Sequence, residues 1–226
     1  MGKVLRFLGI LFMGIASALI LLSGVGTTCV ALDATQYEGM EAIAQFQWLY
    51  ILYVLAFVAF GIMGIRATIA LVRGKKNAYR DALIALIATL VVGVIHMATS
   101  RALRDNGSSM PLDMIVYFVV FTLLLFLLFG LPKIKQMIGF EEGGNNGKTA
   151  AGGMTAIVAG MLFLSVHMWA GPTHIFDGIN LADAFHTQMM IGGGILLIVG
   201  LGLLVYAALP RKEVRQALPQ EGKISA

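Results

Sequence analysis

Apolar residues along the chain fall into six long runs, and charge, glycine and asparagine gather in the short stretches between them. The runs cover residues 4–24, 47–72, 82–103, 111–131, 154–170 and 189–209. Leu, Ile, Val, Phe and Ala follow one another inside each, without the period-two alternation of an outer-membrane strand. Crossing about 30 Å of hydrocarbon takes about 20 residues of helix. Only the fifth run is shorter, and Gly152 and Gly153 can extend it backwards. A backbone in lipid must satisfy its hydrogen bonds internally, so each run is expected to be a helix. The pattern predicts an all-α polytopic membrane protein, a six-helix transmembrane bundle over residues 1–210 with a short polar tail at 211–226.

Composition agrees. Hydrophobic residues make up 58% of the 226 residues and charged residues 12%, against about half and about a quarter in soluble domains. Too little charge remains to cover the surface in water, so the lipid bilayer is the expected partner. The same figures exclude disorder, collagen and a disulfide scaffold. Cys29 is the one cysteine, which rules out an intramolecular disulfide, a Cys-x-x-Cys pair and a four-cysteine iron–sulfur site.

The formal charge of +4 sits in short basic clusters, so nucleic acid is not an expected partner. Lys3 and Arg6 stand at the start of the first run, and Arg73, Lys75, Lys76 and Arg80 follow the second. Lys133, Lys135 and Lys148 follow the fourth, and Arg211, Lys212, Arg215 and Lys223 follow the sixth. Only Arg101 and Arg104 stand on the other side. The positive-inside rule then puts both termini in the cytoplasm and the protein in the cytoplasmic (inner) membrane. The first run exceeds the 7–15 apolar residues of a signal peptide and is read as a retained span. Residues 141–148 read as a flexible linker dividing four helices from two.

The histidines are the main chemical signal. His96 and His167 lie in the third and fifth runs, which point the same way, both roughly 20 Å above the inner boundary. Each stands in a Val-x-His-Met or Val-His-Met setting, a weak internal echo. His174 follows in an outer loop and His186 opens the sixth run. Ionisable groups within a span are costly and raise a functional hypothesis. Imidazole binds haem iron, copper or zinc and carries protons near neutral pH. Asp183 stands three residues before His186, a spacing suited to orienting it. Met97, Met168, Met189 and Met190 add thioethers.

The expected function is therefore a membrane redox subunit. His96 and His167 would hold a b-type haem, His186 would be a proton carrier or alternative ligand, and Arg101 a clamp for a propionate. Electrons would pass to or from quinone or an external partner. Copper on His96, His167, His174 and His186 is the alternative, and no cofactor at all the third case: histidines near an interface can simply reach headgroup water, as Trp and Tyr do. The competing functions are an accessory or assembly subunit and a small transporter. The transporter is disfavoured by the lack of acids and helix-breaking prolines inside the runs.

Among the remaining residues, Arg66 is expected to snorkel to headgroups. Arg101 and Arg104 can bind an anionic group or lipid phosphate, and Asp113 is expected to favour a helix N-terminus. Gly192, Gly193, Gly194, Gly200 and Gly202 give the sixth run a smooth face for helix packing.

Overall fold

The computed structural model describes residues 2–105, 107–140, 146–170 and 175–208. Six of its helices are long and apolar enough to cross a membrane: α1 (Gly2–Leu32), α2 (Gln47–Arg73), α3 (Ala78–Leu103), α4 (Leu112–Phe129), α6 (Asn146–Ala170) and α8 (His186–Ala208). Two short helices, α5 (Pro132–Ile138) and α7 (Leu181–Ala184), lie between them. Two 3-10 turns, Ala34–Gln36 and Glu41–Phe46, join α1 to α2. A two-stranded antiparallel hairpin, β1 (Ile175–Phe176) with β2 (Ile179–Asn180), precedes α7.

The helix α1 stands at the centre, packed on α2, α4, α5 and α6. Of its most apolar stretch 56% is buried, against 11% for α8. It extends well beyond residue 24, where the apolar run was expected to stop. Thr27 and Thr28 donate back to the Ser23 and Gly24 carbonyls at 2.8 and 3.3 Å, so these hydroxyls are satisfied inside the helix. At 31 residues α1 is about 46 Å long, more than the hydrocarbon core requires.

Glycine sets the closest approaches. A Cβ on Gly61 of α2 would lie 2.9 Å from the Leu21 Cα of α1, and one on Gly64 would lie 2.5 Å from the Ser17 Oγ. The antiparallel α6–α8 pair uses glycine on both sides. Gly153 faces the Gly200 carbonyl and Gly160 the Gly193 carbonyl, each a Cβ-forbidding 2.7–3.0 Å in both directions. The five-glycine face expected of the sixth run therefore divides: Gly193 and Gly200 pack, while Gly192, Gly194 and Gly202 face open space.

Helix ends follow sequence chemistry. Gly74 ends α2 in the left-handed conformation (φ 66°), and the Lys75 N–H reaches back to the Ala70 carbonyl at 3.0 Å. Pro132 opens α5 and Gly139 (φ 57°) closes it. Arg6 Nε donates to the Ile138 carbonyl, and Lys148 Nζ to the Phe140 carbonyl at 2.7 Å. Lys148 thus corrects the linker expectation. It is fully buried within α6, because a cation can meet the carbonyls left open where α5 ends. Residues 141–145 of that expected linker, and the expected tail, lie outside the described residues.

Candidate functional site

An aromatic stripe on α2 builds the surroundings of His96. Tyr50, Tyr53 and Phe57 recur at helical spacing and all three are buried. The His96 ring stacks on Tyr53 (centroids 4.2 Å, planes 20° apart) and meets Tyr50 edge-on (5.2 Å, 90°), with Phe57 at 5.7 Å. Tyr50 and Tyr53 are themselves held by α3, through Ser100 Oγ at 2.9 Å and Thr99 Oγ1 at 3.1 Å. His96 is 3% exposed, and its Nδ1 is buried without a hydrogen-bond partner.

His96 lines a cavity of about 1030 Å³ at the end of the bundle away from the basic links. Most of the wall is apolar, from Leu19, Leu22 and Val30 of α1 and Leu112, Ile115 and Phe118 of α4. The polar lining residues are Ser23, Thr27, Gln36, Tyr37, Glu38, Tyr50, His96, Ser100, Arg104 and Ser109. Arg104 is half-buried. It donates to the Met110 carbonyl at 3.0 Å, while its Nε is buried and unpartnered. A buried polar atom without a partner costs about 1–3 kcal/mol.

The loop after α1 closes this end. Asp33 caps the first 3-10 turn, accepting from the Thr35 N–H at 3.0 Å and its hydroxyl at 2.6 Å, which holds the carboxyl below its ordinary value. Tyr37 donates to the Ile175 carbonyl at 2.8 Å, and the Asp177 N–H donates to Gln36 Oε1 at 2.7 Å, tying the loop to the hairpin. Burial first, and then neighbouring Cys29, pushes the Tyr37 hydroxyl up from its ordinary value.

The other histidines lie elsewhere. His167 Nδ1 is 2.9 Å from Asp183 Oδ1, and the His167 and His186 ring centroids are 5.3 Å apart with planes at 67°. Neither residue lines the His96 cavity. The structure thus brings His167 to His186 and not to His96, whose ring is enclosed by α2. His96 and His167, expected to share a haem, have different ring neighbours: Tyr50, Tyr53 and Phe57 for the first and His186 for the second. Asp183 orients His167 across the α6–α8 connection rather than His186 beside it in sequence. His174 lies outside the described residues. Among the described residues no group of three or more His, Cys, Asp or Glu is gathered to hold a metal.

Arg101 is already engaged. It pairs with Asp113 at 2.9 Å, and Nε donates to Ser109 Oγ at 3.2 Å. Ser109 also donates to Asp113. This knot fastens the end of α3 to the start of α4, so Arg104, not Arg101, is the cation of the cavity. Asp113 lies in the first turn of α4 as expected, with this ion pair in addition. Arg66 is exposed on α2, beside Lys75 and Asp81.

Sequence reasoning missed Tyr50, Tyr53 and Tyr37. The i, i+3, i+7 aromatic stripe of α2 was a usable signal for the first two, and His96 with Ser100 at i, i+4 was its counterpart on α3. Comparison of the chain with protein-family models, curated proteins and solved structures finds no match.

Proposed function

We propose that the protein is a multi-pass protein of the cytoplasmic membrane, with both termini inside, that binds a lipid-soluble molecule in the cavity beside His96. The molecule has an apolar body and a carbonyl-type head, as a membrane quinone does. One observation carries this reading: a cavity of about 1030 Å³, apolar over most of its wall, with His96, Tyr50, Ser100 and Arg104 among the residues that line it. Its volume is at the upper end of the about 300–1,000 Å³ of ligand pockets. The apolar wall takes the body of the molecule. His96 and Arg104 supply hydrogen bonds to the head, and the stack on Tyr53 keeps the imidazole oriented. The redox role expected from the sequence then falls to the bound quinone, exchanging electrons with a partner, and needs no haem held by this chain.

Thermal unfolding of the detergent-purified protein tests this, with a short-tailed quinone, a fatty acid and a phospholipid as separate probes. The quinone is expected to raise the melting temperature in a concentration-dependent way. His96→Leu and Arg104→Gln are expected each to weaken that binding about tenfold or more, about 1.4 kcal/mol. A response to phospholipid alone would make the cavity a lipid site. No response to any probe, with protein co-purifying only with other membrane subunits, would replace the ligand reading with the accessory-subunit one.

A further inference from the structure

The second histidine cluster is independent of the cavity and has its own chemistry. We infer that His167 and His186 form a two-imidazole site for a divalent late transition metal, Cu²⁺ or Zn²⁺, where α6 and α8 come together.

Three observations converge. First, the rings are spaced for a shared ion. Imidazole nitrogens lie about 2.0–2.1 Å from zinc, which puts two rings on one tetrahedral metal with centres about 5 Å apart. The observed separation is 5.3 Å, with planes at 67°. Second, Asp183 Oδ1 lies 2.9 Å from His167 Nδ1. That contact places the proton on Nδ1 and leaves the lone pair of Nε2 for a metal, the carboxylate–histidine arrangement common behind ligating imidazoles. Third, the site is open and electrostatically suited to a cation. The His167 and Asp183 side chains are 48% and 58% exposed. The segment between α6 and α8 carries Asp177 and Asp183 and no Lys or Arg.

With two protein ligands, the remaining positions belong to water or to a group brought by a partner. Such a site exchanges its metal readily and differs from the closed four-ligand cage of a structural zinc. The ligands come from two helices that touch through glycine, so a bound ion also ties α8 to α6.

The test is titration of the metal-stripped full chain with Cu²⁺ and, separately, Zn²⁺, with electron paramagnetic resonance of the copper form. One equivalent of copper should bind with two imidazole nitrogens in its signal. His167→Gln and His186→Gln should each abolish this binding. Asp183→Asn, which keeps both imidazoles, should weaken it about 10–100-fold. The melting temperature without metal, measured for each variant, separates lost binding from lost folding. Copper bound equally by His186→Gln, or without imidazole nitrogen, would overturn the site. So would a native chain that retains no metal at micromolar concentration. Quinone binding in the cavity is unaffected by any of these outcomes.

Discussion

His96 and His167 share a sequence setting, each two or fewer residues after a valine and followed by methionine, yet they occupy opposite kinds of place. His96 is 3% exposed and walled by three rings from α2. His167 is about half exposed and meets an acid and a second imidazole, and the following Met168 is 80% exposed. The difference lies in the neighbours. The partners of His96 arrive from 39–46 residues earlier in the chain, by packing of α2 on α3. Those of His167 arrive from the next 16–19 residues, by a tight reversal of the chain. An imidazole at a given depth acquires its chemistry from what rotates toward it.

The largest expected contrast comes from truncating the packed side. Phe57→Ala removes a fully buried ring beside His96 and should cost about 3–5 kcal/mol in an unfolding titration in detergent. Met168→Ala should change stability by less than about 0.5 kcal/mol. Equal losses would mean that the two histidine regions are packed alike. Gly200→Val is next. It forces a branched side chain against the Gly153 carbonyl, and overpacking of this kind costs about 1–3 kcal/mol. Its effect should stay within α6–α8: cross-linking between these helices falls, while quinone binding beside His96 is retained. Loss of quinone binding would show that the two regions are coupled.

Asp183→Asn should leave the fold almost unchanged, because a pair this exposed contributes little to stability. Its signature is confined to metal affinity. Smallest is the pH response of the α1–α2 loop. The Asp33 carboxyl is depressed by its hydrogen bonds to Thr35 and Gln36. The cap is therefore complete above the ordinary carboxylate range near pH 4 and is lost as pH falls through the lower folded value. Protection of the Thr35 amide, its exchange rate compared with that of an unstructured amide at the same pH, should fall over that acidic interval and stay constant above it.

The sequence located the spanning helices, although it ended α1 at residue 24 rather than Leu32 and began α6 at 154 rather than Asn146, and it left their neighbours obscure. Residues 47–72 became Gln47–Arg73, and residues 82–103 became Ala78–Leu103. The short α5 and α7 were missed, since neither carries an apolar run of its own. Rotation was hidden for a different reason. Helices such as α3 and α8 are apolar all round, so no polar face says which side meets protein. Which histidines meet therefore had no support in the pattern. Lys148 misled for the opposite reason: a lysine among glycines looks solvated, whereas its ammonium donates to the Phe140 carbonyl.

The central position of α1 has a consequence for the order of assembly. Synthesis delivers α1 before α2, α4, α5 and α6, the helices that come to surround it. Three of its hydroxyls, Ser17, Thr27 and Thr28, are already bonded to carbonyls of the same helix and can wait in lipid without a partner. Gly61 and Gly64 of α2 then close on it first, as a hairpin of neighbours in sequence. The α6–α8 pair, in contact through its own glycines, is the last of the spanning helices to be synthesised. The chain can thus mature from its axis outward, and no stage requires a buried helix to be threaded into a finished ring.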